Sequence, residues 1–348
     1  MKKKLLVSIM IMTCILSLAA CSPEKEDHDS NEEQDKQEVL DDKDAPRTEF
    51  TIASMKGPTT MGLVKLMNDV DSGKSRHDYK VSMYGTADEF TAQFIKGDID
   101  IALVPCNLAS VLYNKTQGKI QVAAVNTLGV LYMVENGDTI QSVADLKGKT
   151  ILTTGKGTTP EYVLNYILEK NGLKVGEDVM VEFKNEATEV AAAMEASTEP
   201  VIAMLPQPYV TTLQMQMEGV RTALDMTKEW DKVSPDSSLV TGVVVANRSF
   251  IEKNPVAFEE FMDDYDDSTE FVNEHSQEAA EWIAGYGIVP KSAIALKALP
   301  ACNITFMDDK EMKKSVSGYL QVLYDQNPEA VGGVLPDEKF YYMDTEED

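Results

Sequence analysis

From Glu49 onward the apolar positions switch between a period of two and a period near 3.6, segment after segment. Phe50-Thr51-Ile52-Ala53-Ser54 alternates as a half-buried strand does. Thr59 or Thr60 is then placed to cap a helix with Leu63, Met67 and Val70 on its inner face. A strand is predicted over 80–84, followed by a helix over 86–96 that carries Phe90 and Phe94 on one face and stops at Gly97. A strand over 99–104, a helix over 107–115 and a strand over 120–125 close this first set. The second set begins with an apolar run over 128–134 and a short helix over 142–146. Strands are predicted over 150–154, 179–183 and 201–204, with helices over 160–170, 188–196 and from about 209. A strongly β-branched strand over 239–246 ends the alternation. The tail is mostly helical: Asn254-Pro255 opens a helix with Phe258, Phe261, Met262 and Tyr265 inside. Asp308 or Asp309 caps another that carries Met312, Val316, Tyr319 and Leu323.

Strands alternating with helices imply α/β layers built on largely parallel sheets. Two successive sets imply two similar lobes, with the late helices returning to the first. We expect lobe one over 49–127 and 243–348, and lobe two over 128–242.

The first 48 residues are different in kind. Met1-Lys2-Lys3-Lys4 precedes an apolar run over 5–20, too short to span a bilayer comfortably. A basic start, short apolar core and small residues at its end read as a secretory signal over 1–20. Leu18-Ala19-Ala20-Cys21 resembles the bacterial lipoprotein box, which makes Cys21 the lipidated first residue of a membrane-anchored chain, with palmitate as one acyl group. An ordinary signal peptide that happens to hold a cysteine is the plainer alternative. Residues 22–48 contain 11 acidic and 4 basic side chains and almost nothing large and apolar. Such a segment cannot offset its ordering entropy by burial, so 21–48 reads as a lipidated cysteine followed by a disordered acidic tether.

Charge and rare residues narrow the functions. A formal charge of −26 argues against nucleic acid as a partner. Cys106 and Cys302 read as two separate buried thiols, although an extracytoplasmic chain permits a disulfide between them. His77 and His275 each sit in a charged stretch expected to be exposed, and no spacing suggests a metal site or a catalytic pair. No cofactor is expected.

The chemistry gathers instead at strand-to-helix turns. Lys56-Gly57-Pro58-Thr59-Thr60 follows the first strand, and Gly155-Lys156-Gly157-Thr158-Thr159-Pro160 follows the first strand of the second lobe. Glycines let backbone N–H groups point outward, threonine hydroxyls cap the helix or meet a ligand, and the helix start adds partial positive charge. Ligands of open α/β sheets bind outside the carboxyl ends of the strands. Four smaller turns occupy equivalent places: Tyr84-Gly85-Thr86, Pro105-Cys106-Asn107, Asn185-Glu186-Ala187-Thr188 and Pro206-Gln207-Pro208-Tyr209. The candidate ligand residues are therefore Lys56, Gly57, Pro58, Thr59, Thr60, Gly85, Thr86, Asn107, Gly157, Thr158, Thr159, Asn185, Gln207 and Tyr209.

The order of lipoprotein box, acidic spacer, Lys56-Gly57-Pro58, Asp98-Ile99-Asp100-Ile101-Ala102, Asp145-Leu146-Lys147-Gly148-Lys149, Gly155-Lys156-Gly157-Thr158-Thr159 and Glu252-Lys253-Asn254-Pro255 resembles solute-binding proteins of the nitrate, sulfonate, taurine and thiamine-precursor group. That resemblance implies the two-lobed periplasmic-binding fold of type II, with hinges near 126–131 and 239–245. It also implies a monomer that closes on a small-molecule ligand and delivers it to a membrane permease powered by a separate ATPase. The arginines, Arg47, Arg76, Arg221 and Arg248, all lie away from the expected cleft turns, so no bidentate clamp for a carboxylate is visible. A small organic anion held by the helix starts with Lys56 or Lys156, and a polar heterocycle stacked on Tyr84, Tyr162 or Tyr209, both stay open. The rivals are a ligand-sensing surface receptor on the same fold and an enzyme.

Overall fold

Strands and helices of this chain sort into two sheets because each run of alternating elements lays its strands side by side. The computed structural model describes residues 47–343; the signal segment, Cys21 and the acidic spacer up to residue 46 lie outside the described residues. The first run is β1 (Glu49–Met55), α1 (Pro58–Met61), α2 (Val64–Asp71), β2 (Asp78–Tyr84), α3 (Asp88–Lys96), β3 (Ile101–Pro105), α4 (Cys106–Thr116) and β4 (Ile120–Leu128). The second is β5 (Leu131–Glu135), β6 (Thr150–Thr153), α5 (Thr159–Lys170), β7 (Met180–Phe183), α6 (Ala187–Ala196), β8 (Ile202–Pro206), α7 (Tyr209–Gln216), β9 (Arg221–Asp225) and α8 (Met226–Val233). The chain then returns through β10 (Val240–Asn247), α9 (Arg248–Lys253), α10 (Pro255–Glu274), α11 (Ser276–Gly285), α12 (Ser292–Ala298), β11 (Ile304–Met307) and α13 (Asp309–Gln326).

The two sheets share one plan. Sheet one runs β11-β4-β10-β3-β1-β2 and sheet two runs β7-β6-β8-β5-β9. In each, three parallel strands stand in the order second, first, third. Beside the third lies an antiparallel strand, β10 in one and β5 in the other. Each is the first strand laid down after the chain crosses between sheets. The crossings are short: Gly129-Val130 on the way out and residues 234–239 on the way back.

A glycine marks the outward crossing and another the start of the strand that follows the return. A Cβ on Gly129 would overlap Thr227 Oγ1 and stand 2.7 Å from Leu239 Cδ2, so one crossing leans on the other. A Cβ on Gly242 would stand 2.5 Å from Asn126 Oδ1 and 2.8 Å from Thr59 Cγ2. Only a residue without a side chain lets the strands approach this closely.

Four buried apolar clusters hold the described residues, and two of them bear on the site. Behind one face of sheet one, Phe50 stacks on Phe261 at 5.6 Å, and Phe261 on Tyr265 at 5.9 Å. The α10 positions expected inside, Phe258, Phe261, Met262 and Tyr265, are all buried. Each such side chain contributes about 2–3 kcal/mol of burial. A second core runs without a break from sheet one to sheet two: Trp230 of α8 lies 4.7 Å from Tyr166 of α5 and 5.6 Å from Tyr319 of α13.

The structure corrects several local expectations. The helix after the first turn is two pieces, broken at Gly62-Leu63: Gly57, at φ 132, precedes α1, and Leu63, not a threonine, precedes α2. Arg47 and Thr48, expected in the spacer, are held: Arg47 donates to Asp78, Ser75 and His77, and the Thr48 N–H donates to His77 Nδ1. His77 is buried rather than exposed, with its Nε2 2.9 Å from Glu260 and Phe50 against its ring. His275 is exposed as expected. Cys106 and Cys302 are both free and buried, and burial pushes the Cys302 thiol up to about 12.

Candidate functional site

Parallel strands discharge their following turns at a common edge, and this brings the candidate residues to two edges. The turns after β1, β2 and β3 leave sheet one together; those after β6, β7 and β8 leave sheet two together. The edges touch at one polar contact. The Thr159 hydroxyl, at the start of α5, lies 3.4 Å from Asn107 Oδ1, in the first turn of α4. The C-terminal segment backs this seam from both sides. Asn107 Nδ2 donates to the Ala330 carbonyl at 3.2 Å, and Asn327 Nδ2 donates to the Tyr162 hydroxyl of α5 at 3.2 Å.

The first turn is largely enclosed. Lys56 N–H donates to the Tyr84 carbonyl at 2.9 Å. Thr60 is fully buried; its hydroxyl donates to the Met55 carbonyl and lies 2.7 Å from Ser54 Oγ. Thr59 rests its methyl toward Gly242 on the crossover strand. Pro58 is half-buried, Gly57 is buried, and Lys56 is the exposed member of the turn.

The second turn is open. Gly155 and Gly157 both take left-handed backbone, at φ 76 and 75. The Thr158 hydroxyl donates to the Gly155 carbonyl at 2.7 Å, and the Tyr162 hydroxyl donates to the Gly157 carbonyl at 3.1 Å. Lys156 is exposed, with its ammonium 5.9 Å from the Phe183 ring. Of the two threonines, Thr159 is the one that reaches the other half of the molecule.

The side turns share a device that sequence reading did not anticipate. The N–H of Thr86 donates to Glu89 at 2.7 Å, that of Asn185 to Glu189 at 3.1 Å, and that of Gly157 to Glu161 at 2.5 Å. In each case a carboxylate from the helix's opening turns takes the amide expected to be available to a ligand. Gly85 beside Thr86 is exposed, and a Cβ there would stand 3.2 Å from Glu89. Gln207 is buried, with its Oε1 accepting from the Thr211 N–H and hydroxyl. Tyr209 is 50% exposed. Tyr84 packs on Phe90 at 5.0 Å.

Electrostatically, then, the edges carry Lys56 and Lys156, with Glu89, Glu161 and Glu189 already on the amides and Glu186 a further carboxylate in the turn before α6. An anion would have to displace a like charge to reach them. Burial raises the Cys106 thiol far out of the nucleophilic range, although it opens α4 beside the seam. No group of three His, Cys, Asp or Glu among the described residues is placed to hold a metal. No helix among them is long and apolar enough to cross a membrane. The sequence reading missed Tyr319, whose helical spacing marked it only as core, and Asn126 and Thr227 at the crossovers. All three carry buried polar atoms without a hydrogen-bond partner.

Known proteins resemble this arrangement. The family model described as NMT1/THI5-like matches residues 120–279. A protein of Brucella abortus named as a binding protein is 25% identical over 217 residues, 62% of this chain and 65%, just under two thirds, of the relative. The crystal structure of an ABC transporter protein from Parabacteroides distasonis is 25% identical, with a TM-score of 0.71 over 85% of this chain and 99% of that one. The periplasmic aliphatic sulphonate binding protein of Escherichia coli is 16% identical, with a TM-score of 0.66 over 82% and 94% of the two chains. The resemblance to solute-binding proteins drawn from the motifs is thus matched by fold: the chain has the periplasmic-binding fold.

Proposed function

We propose that this chain is the extracytoplasmic capture component of an ABC importer, not an enzyme, and that it closes two lobes on a small polar solute for delivery to a membrane permease. The observation that carries the reading is the Asn107–Thr159 contact, which brings helix starts from two separate sheets to one seam. A ligand touching both would favour the closed arrangement by its differential contacts. We take residues 49–127 and 243–348 as one lobe, 128–242 as the other, and Cys21 as the lipid-bearing anchor behind a cleaved signal.

Of the two ligand classes, the self-capped turns favour a polar heterocycle over a small organic anion. Glu89, Glu161 and Glu189 already satisfy the amides that would bind an anion. Asn107 and Thr159 instead offer uncharged donors and acceptors. Two measurements test this. Native mass spectrometry of the purified chain should show a co-purified small molecule, and titration calorimetry should show cytosine binding more tightly than ethanesulfonate. A preference for ethanesulfonate would reverse the ligand class. Failure to retain or bind any solute would end the capture reading.

A further inference from the structure

Tyr319 of α13 is fully buried, and the ring is well packed against Trp230 at 5.6 Å. The hydroxyl is another matter. On α13, which packs against α4 and α5, it faces Thr159 at the start of α5, yet no group among the described residues meets it at normal hydrogen-bond geometry. Phenylalanine would fill the same space without burying an unpaired polar group, so for packing alone the hydroxyl is a liability. The neighbouring bonds are also long: Thr159 to Asn107 is 3.4 Å and Asn107 to Ala330 is 3.2 Å. Three uncharged polar side chains from α4, α5 and α13 therefore converge where the two halves meet, and one has no partner.

We infer that Tyr319 is a specificity-determining residue of the capture site, its hydroxyl meeting the polar edge of the solute beside Asn107 and Thr159. The inference rests on the capture reading above. A phenol both donates and accepts, as do a carboxamide and an alcohol. The trio thus suits an edge that offers both a donor and an acceptor. Tyr265 of α10 makes a useful contrast. It too is a buried tyrosine whose hydroxyl lacks a hydrogen bond of normal geometry, but it lies beside Asn126, and a Cβ on Gly62, just past the first turn, would stand 3.2 Å from it.

The test is Tyr319→Phe in the full chain, with Tyr265→Phe as its control. Scanning calorimetry without solute should show Tyr319→Phe melting at or above the parent temperature, because a buried unpaired group has gone. Titration should show the same variant binding the parent's preferred probe, cytosine or ethanesulfonate, at least ten-fold more weakly. Tyr265→Phe should keep the parent's affinity. A lower melting temperature for Tyr319→Phe would reveal a structural partner and overturn the assignment. So would unchanged affinity in a parent that binds either probe, and in that case the capture reading would stand. A parent that binds neither probe and retains no small molecule would remove both.

Discussion

The turn after β1 and the turn after β6 are built from the same residues, yet the structure uses them differently. In the first, Thr60 is buried and bonded to Met55 and Ser54, and Thr59 leans on the crossover strand at Gly242. In the second, Gly157 stands in open space and Thr159 reaches across to Asn107. What lies behind each turn decides the outcome. The first is backed by the crossover strand at Gly242 on the Thr59 methyl, and its Thr60 hydroxyl is consumed by the end of its own strand, at Met55 and Ser54. The second is backed by its own helix, so one hydroxyl remains free to cross the seam. A shared motif predicts shared geometry, and the packing behind it assigns the role.

Glycine substitutions should separate the two turns most widely. Gly242→Ala places a Cβ within 2.5 Å of Asn126 Oδ1 and 2.8 Å of Thr59 Cγ2, so both side chains must move to admit it. We expect a loss of about 3 kcal/mol in urea unfolding. Gly157→Ala meets open space and suffers only its left-handed backbone at φ 75, a cost of about 1 kcal/mol. Equal losses would mean that the first turn is no better supported than the second.

The threonines sharpen the same contrast. Thr60→Ala leaves the Met55 carbonyl and Ser54 hydroxyl short of a buried partner and should cost about 2 kcal/mol of stability. Thr159→Ala gives up one long bond at a half-buried position and should cost under about 0.5 kcal/mol. Its effect should appear instead in solute affinity. If calorimetry finds Thr159→Ala the less stable of the two, the roles drawn here are exchanged.

Much of this was legible in the sequence, and the failures have physical causes. The alternation that predicted β1, β2, β3, β6, β7 and β8 works because each strand is followed by a helix with its own apolar face. β11 was missed because Ile304-Thr305-Phe306-Met307 is short, with one buried residue and three half-buried ones. β9 and α8 were missed because Arg221–Val233 mixes charge with Trp230 and Leu224, and only the tertiary fold shows which face turns inward. His77 was misjudged because its neighbours Arg76 and Asp78 are exposed; the bend just before β2 turns the imidazole inward onto Phe50 and Glu260. At the site, the turns could be read from glycine and threonine. The partner of Thr159 could not, since Asn107 lies far away in the chain.

The smallest effects are expected where the two halves agree. Glu89 caps the Thr86 amide three residues before it on α3, and Glu189 caps the Asn185 amide four residues before it on α6. Glu89→Gln and Glu189→Gln should therefore each cost only about 0.5 kcal/mol, and by similar amounts, because glutamine still accepts from the amide while losing charge. Their second effect bears on the ligand. If these carboxylates keep anions away from the edges, the double variant should bind ethanesulfonate more tightly than the parent, by a few-fold at low salt, with the gain fading as salt is raised. Unchanged ethanesulfonate affinity across that series would show that the rim charges lie too far from the solute to select it. The choice between an anion and a heterocycle would then rest on Asn107, Thr159 and Tyr319 alone.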